Sequence, residues 1–325
     1  MHRRVFALTA LAVLAISAAC SNDTAPDPTA GKTHPAGTVS GRITFETGHI
    51  GMAVAPNGVG YVTTPTGLDR FSTQSPYTKL TPLTTGPGPR DVAVDRAGTT
   101  AYAATDNGKV YLVDLKTGAT KATLVVDTAY HSGDAQFNHL AVSPDGSRAY
   151  LITDGRLSSL PTNGAPSTPS GHSGTSIAVS PTTGAIYLTN VDGDFYAARL
   201  DPTTFAVQAR TSTRLSSTAI AVAPRGDEVY VASGRVLAML DPTTLAERGE
   251  VNLGADVGIS GIAVSPDGTQ IYVPTFGPTL TIVDRATRSV VATLPLSGYP
   301  LGVAFDPQGK SAFVVNLDTW VDVIQ

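Results

Sequence analysis

The chain has 325 residues, 42% of them hydrophobic and 15% charged, with a formal net charge of −4. That apolar content supports a buried core and excludes global disorder, while the lack of a basic block excludes recruitment of nucleic acid by bulk charge. A single cysteine, Cys20, excludes an intramolecular disulfide and any cysteine-based metal cluster.

In chain order, His2, Arg3 and Arg4 form a positive start, and Val5 to Ile16 is an almost unbroken apolar run, too short for the roughly 20 residues that span a bilayer. Ser17-Ala18-Ala19-Cys20 follows, small residues ahead of the cysteine. The expectation is a signal peptide over residues 1–19 and export, with a lipidated Cys20 as the mature terminus. This motif resembles the lipobox of bacterial lipoproteins, except that Ser17 stands where Leu is usual. An ordinary signal peptide cleaved after small residues is the alternative, and the choice between general and twin-arginine export stays open. Residues 21–37 are Ser, Asn, Asp, Thr, Pro and Gly with hardly a large apolar group, so residues 20–37 are expected to be a disordered tether behind a lipid anchor.

From residue 38 onward one unit recurs. Ile262-Ala263-Val264-Ser265-Pro266-Asp267-Gly268 is its clearest copy, and the matching alanines are Ala53, Ala93, Ala141, Ala178, Ala221, Ala263 and Ala304, separated by 40, 48, 37, 43, 42 and 41 residues. This is the repeat length of a four-stranded propeller blade. An aromatic follows each alanine: Tyr61, Tyr102, Tyr150, Tyr187, Tyr230, Tyr272 and Phe313. The alanine suits an inner strand crowded against the axis, the Pro-Asp-Gly a hairpin turn, and the aromatic the wider space between sheets. A third strand ends in turns such as Leu240-Asp241-Pro242-Thr243-Thr244. The expected fold is all-β, one seven-bladed β-propeller over residues 38–325. Its last blade lacks an outer strand in the C-terminal sequence. Thr38 to Thr47, an orphan strand ahead of the first repeat, is expected to complete that blade and latch the ring. Blade three departs most, since Arg156 to Ser170 shows no clear outer strand.

These repeats resemble the YVTN-repeat family of β-propellers, whose unit reads Ile-Ala-Val-Ser-Pro-Asp-Gly, then Tyr-Val, then Val-Asp-x-x-Thr. Ile262 to Thr287 is the closest copy and the resemblance spans residues 38–325. It implies a propeller. It leaves the role open, because related propellers include extracytoplasmic proteins, lactonases, lyases and single-stranded-DNA binders.

Propellers take ligands at the mouth of the channel, on the loops entering the inner strands. Three residues before each repeat alanine stand Ile50, Arg90, Asn138, Thr175, Thr218, Ser260 and Leu301, a ring with one charge, no paired carboxylates and no nucleophile beside a base. The step from Ala93 to Ala141 is the longest, and its excess lies in Asp127 to His139. The candidate ligand-binding residues are therefore Arg90, Tyr130, His131, Asp134, Phe137, Asn138, His139 and His172, weighed against a plain solvated loop. The spacing of His131, Asp134, His139 and His172 fits no known metal-ligand pattern, and neither a metal nor a cofactor is expected. Asp192-Gly193-Asp194 and Asp145-Gly146 read as turns, not calcium loops. The expected protein is a monomeric, extracytoplasmic module held to the bacterial membrane by its N-terminal lipid and binding a protein, glycan or small ligand. A lactonase- or lyase-like enzyme using the channel is the alternative. Single-stranded nucleic acid binding ranks third, because it wants a basic groove with aromatics.

Overall fold

A computed structural model describes residues 27–48, 50–105, 108–126, 139–213, 216–258 and 261–325. The chain is a seven-bladed β-propeller: seven antiparallel four-stranded sheets arranged in a ring. The inner strands are Met52–Val54, Pro89–Val94, His139–Val142, Ser176–Val179, Ser217–Val222, Ala263–Val264 and Pro300–Phe305, and they touch in turn, the seventh against the first.

The repeat fixes the register. Each repeat alanine stands opposite its aromatic on the second strand: Ala53 opposite Tyr61, Ala93 opposite Tyr102, and so on to Ala304 opposite Phe313. All seven aromatics are fully buried. They belong to seven apolar clusters among the described residues, and each cluster joins two adjacent blades, the last tying blade seven to blade one through Phe313, Phe71 and Val62. Burying one such side chain contributes about 1.5–3 kcal/mol, so the core is the set of inter-blade seams, and no single sheet is stable alone.

The tyrosine hydroxyls must keep a partner when the ring is buried. Tyr150 donates to the Pro202 carbonyl (3.5 Å) and Tyr187 to the Pro242 carbonyl (2.7 Å), each in the turn before the next blade's outer strand. Tyr272 of blade six donates to the Pro35 carbonyl (3.3 Å), because in blade seven that place is filled from the N-terminus.

Closure follows the sequence expectation. Strand Val39–Thr44 pairs with Trp320–Ile324 as the outer strand of blade seven. Arg42 fastens it, its Nε donating to the buried Asp322 (3.2 Å) and its guanidinium lying over the Trp320 ring at 4.3 Å.

Two expectations differ from the structure. Blade three has an outer strand, Thr168–Ser173, paired with Arg156–Pro161. A peripheral strand needs backbone pairing on one side only, and Ser170 adds a bond from its hydroxyl to the Leu157 carbonyl (3.0 Å), so the low β-propensity of Thr-Pro-Ser-Gly-His-Ser does not prevent it. Residues 27–37, assigned to the tether, lie along the ring and bond to it. Apolar content is low there, but charge pairs and hydrogen bonds hold the segment instead.

Candidate functional site

Each inner strand runs from the mouth where the chain enters a blade to the opposite face, where the first turn lies. At the entry mouth the sequence-derived ring is partly displaced. Arg90, Thr218 and Leu301 each fall at a register shift, between Pro89 and Asp91, Ser217 and Ala219, and Pro300 and Gly302. Such bulges break the ladder locally and re-aim the side chain there.

One residue deeper the seven blades present Gly51, Asp91, His139, Ser176, Ala219, Gly261 and Gly302, of which Asp91, His139, Ser176, Ala219 and Gly302 are paired in register with the second strand of their blade. Four of the seven are Gly or Ala. A Cβ on Gly261 would meet nothing within 4 Å, whereas one on Gly51 would lie 2.7 Å from the Asp91 backbone. Glycine thus opens the layer opposite Asp91 and lets the Asp91 strand close up beside it.

Asp91 is the charged group of this layer. Its carboxylate accepts the Leu140 amide of the next blade (2.9 Å) and the amide of its own neighbour Val92 (2.8 Å). The Leu140 bond crosses from inner strand to inner strand, immediately beside His139. Desolvation pushes the Asp91 carboxyl up to about 7, against the pull of those two amides. Desolvation also pushes the His139 imidazole down to about 4. Asp91 and His139 are each half-buried on adjacent inner strands. An acid held near neutrality beside an uncharged imidazole is able to donate or accept hydrogen bonds and to exchange a proton.

The adjoining sector is polar but neutral. Asn190, in a left-handed backbone conformation, donates to Thr175 Oγ1 (2.7 Å), to Ser216 Oγ (3.1 Å) and to the Ser217 carbonyl (2.8 Å). Thr175 Oγ1 donates to the same carbonyl (3.0 Å), tying blades four and five at the mouth. Across the ring, Phe276, Tyr299 and Leu317 are exposed on the connections of blades six and seven at this mouth, with the Leu317 amide bonded to the Tyr299 carbonyl (2.9 Å).

Of the sequence-derived candidates, Arg90 and His139 lie at the mouth, on adjacent inner strands. His172 does not join them. It lies on the outermost strand of blade three, with Nδ1 3.0 Å from Asp192 and Nε2 3.1 Å from the Phe205 carbonyl, bridging two blades at the periphery. Cys20, Tyr130, His131, Asp134, Phe137 and Asn138 lie outside the described residues. Sequence reasoning missed Asp91. The available signal was its spacing: Asp91 and His139 stand equally far before Ala93 and Ala141.

Among the described residues no group of three or more His, Cys, Asp or Glu side chains is placed to hold a metal ion. A groove of about 490 Å³ lies at the closure seam, lined by Glu46, Arg70, Lys79 and Thr84 among others. It is away from the channel, and Arg70 is already engaged with the Thr81 carbonyl. No protein-family model matches the chain, and no curated protein matches it in sequence.

Proposed function

We propose that this propeller is a membrane-anchored, extracytoplasmic binding module that takes a small polar ligand, or the polar tip of a glycan or protein, at the channel mouth around Asp91 and His139. The observation that carries the reading is the layer itself. The ring opens with glycines on one side and presents its two environmentally shifted titratable groups on the other. Export and anchoring rest on the apolar run from Val5 to Ile16 and the small residues that lead from it to Cys20, and the repeat pattern resembles the YVTN-repeat propellers, which include extracytoplasmic members. Exposed Phe276, Tyr299 and Leu317 beside the mouth supply apolar contact for anything larger than the channel.

The test is a thermal-shift screen of the lipid-free protein against saccharides, short peptides and polar metabolites. A ligand that raises the melting temperature of the native protein is expected to lose its effect in Asp91→Ala and His139→Ala. A ligand whose effect survives both places the site elsewhere. For the anchor, Cys20→Ala is expected to move the protein from the membrane to the soluble fraction.

The titration of Asp91 favours one second reading, a hydrolase or eliminase in which this carboxyl transfers the proton, since a general acid–base works best with a pKa near the operating pH. Turnover of lactones or uronate-type substrates that disappears in Asp91→Asn would support it.

A further inference from the structure

Residues 27–38 form a strap across one face of the ring. Asp27 accepts a forked pair of bonds from Arg225, in the first turn of blade five (Nε 3.0 Å, Nη2 2.7 Å), and this guanidinium holds the carboxyl well below the usual carboxylate range. Thr29 is buried, and its Oγ1 accepts a further bond from Arg225 (2.6 Å). His34 Nδ1 lies 2.7 Å from Asp267, in the first turn of blade six. The Thr33 amide donates to the Gln308 carbonyl (2.8 Å), in the first turn of blade seven. Gly309 is needed there, because a Cβ would lie 1.8 Å from the Thr33 carbonyl oxygen, and its φ is +82°. Every one of these contacts is on the face opposite the mouth that holds Asp91 and His139.

We propose that this strapped face is turned toward the membrane lipid surface, and that the mouth with Asp91 and His139 is turned away from it. The proposal rests on the lipid-anchor reading of Cys20. The length of the leash sets the orientation. Seven residue steps separate Cys20 from Asp27, a reach of at most about 25 Å. Were the strap free, eighteen steps would separate Cys20 from Thr38, a reach of about 60 Å, and any face could meet the membrane. A six-residue strand makes the ring roughly 20 Å tall, so the shorter leash, leaving from the inner turns of blade five, brings the strapped face to the surface and holds the other mouth off it.

The test uses the full-length acylated protein in phosphatidylcholine–phosphatidylglycerol vesicles. One cysteine is added on the strapped face (Lys116→Cys, in the turn between the third and fourth strands of blade two, Lys109–Asp114 and Thr120–Val125) or at the opposite mouth (Leu317→Cys) and labelled with a fluorophore, the thiol of Cys20 being blocked by its lipid. With a spin-labelled headgroup as quencher, the label at position 116 is expected to be quenched several-fold more strongly than the label at 317. Equal or reversed quenching overturns the proposal. Arg225→Ala combined with His34→Ala is expected to shrink the difference while the protein still floats with the vesicles, with an unchanged circular dichroism spectrum as the check on folding. Asp27→Asn, a milder release, should shrink it partly, and a difference unaltered in both variants overturns the role of the strap. Mass analysis of the N-terminal peptide separates the premise from the proposal: an unmodified Cys20 on protein that does not float removes the anchor itself.

Discussion

Asp91 and His139 carry opposite pH signatures. The Asp91 carboxyl has its native pKa raised from 3.8 to about 7, so the folded state binds more protons than the unfolded one. Its contribution to stability is therefore full below about 4 and is lost as pH rises through 7. His139 has its native pKa lowered from 6.5 to about 4, so its contribution is full above 6.5 and is lost as pH falls. Asp91→Asn removes the first limb. Urea midpoints of native and variant protein should move in the variant's favour between pH 5 and pH 8, and a difference constant across that range would contradict the shift. Gly51→Ala places a methyl 2.7 Å from the Asp91 backbone. It should cost about 1–3 kcal/mol in the same measurement, as overpacking does.

At the scale of elements, the two N-terminal pieces are separable. The outer strand Val39–Thr44 closes blade seven, and the strap before it fills the place that Pro202 and Pro242 fill elsewhere. Removing residues 1–37 should lower the melting temperature by a few degrees and leave the ring closed. Removing residues 1–47 uncovers the edge of Trp320–Ile324 and should cause a much larger loss, with aggregation visible by light scattering. Asp322→Ala, which removes the partner of Arg42 and Asn316, should weaken closure by about 1–3 kcal/mol in urea denaturation. The latch was legible in the sequence because a strand pattern stood ahead of the first repeat with no blade of its own. The strap was not, because Asp27, Thr29, Thr33 and His34 dock by hydrogen bonds to particular turns, and composition registers only apolar burial. The outer strand of blade three escaped for a related reason: backbone pairing forms it, with Ser170 in place of a β-branched stripe.

For the whole molecule, the ring itself was the most legible feature, since seven Ala–aromatic pairs recur and each buries its aromatic in a seam between blades. The mouth was half legible. Arg90 and His139 lie at the mouth, as their spacing before the repeat alanines implies, whereas three positions of the expected ring fall where bulges break the register. Bulges leave no mark on a repeat alignment, and Asp91 stands one residue past the expected ring, at the spacing that His139 shares. The resulting molecule has two unlike faces, one crossed by the strap and one opening on a layer of glycines, Asp91 and His139. That asymmetry gathers the distinctive chemistry at one mouth, and a site-resolved NMR titration of the Asp91 carboxyl and the His139 ring reads it out. Midpoints near 7 for Asp91 and near 4 for His139 are expected. Midpoints at the ordinary values of 3.8 and 6.5 would contradict that asymmetry.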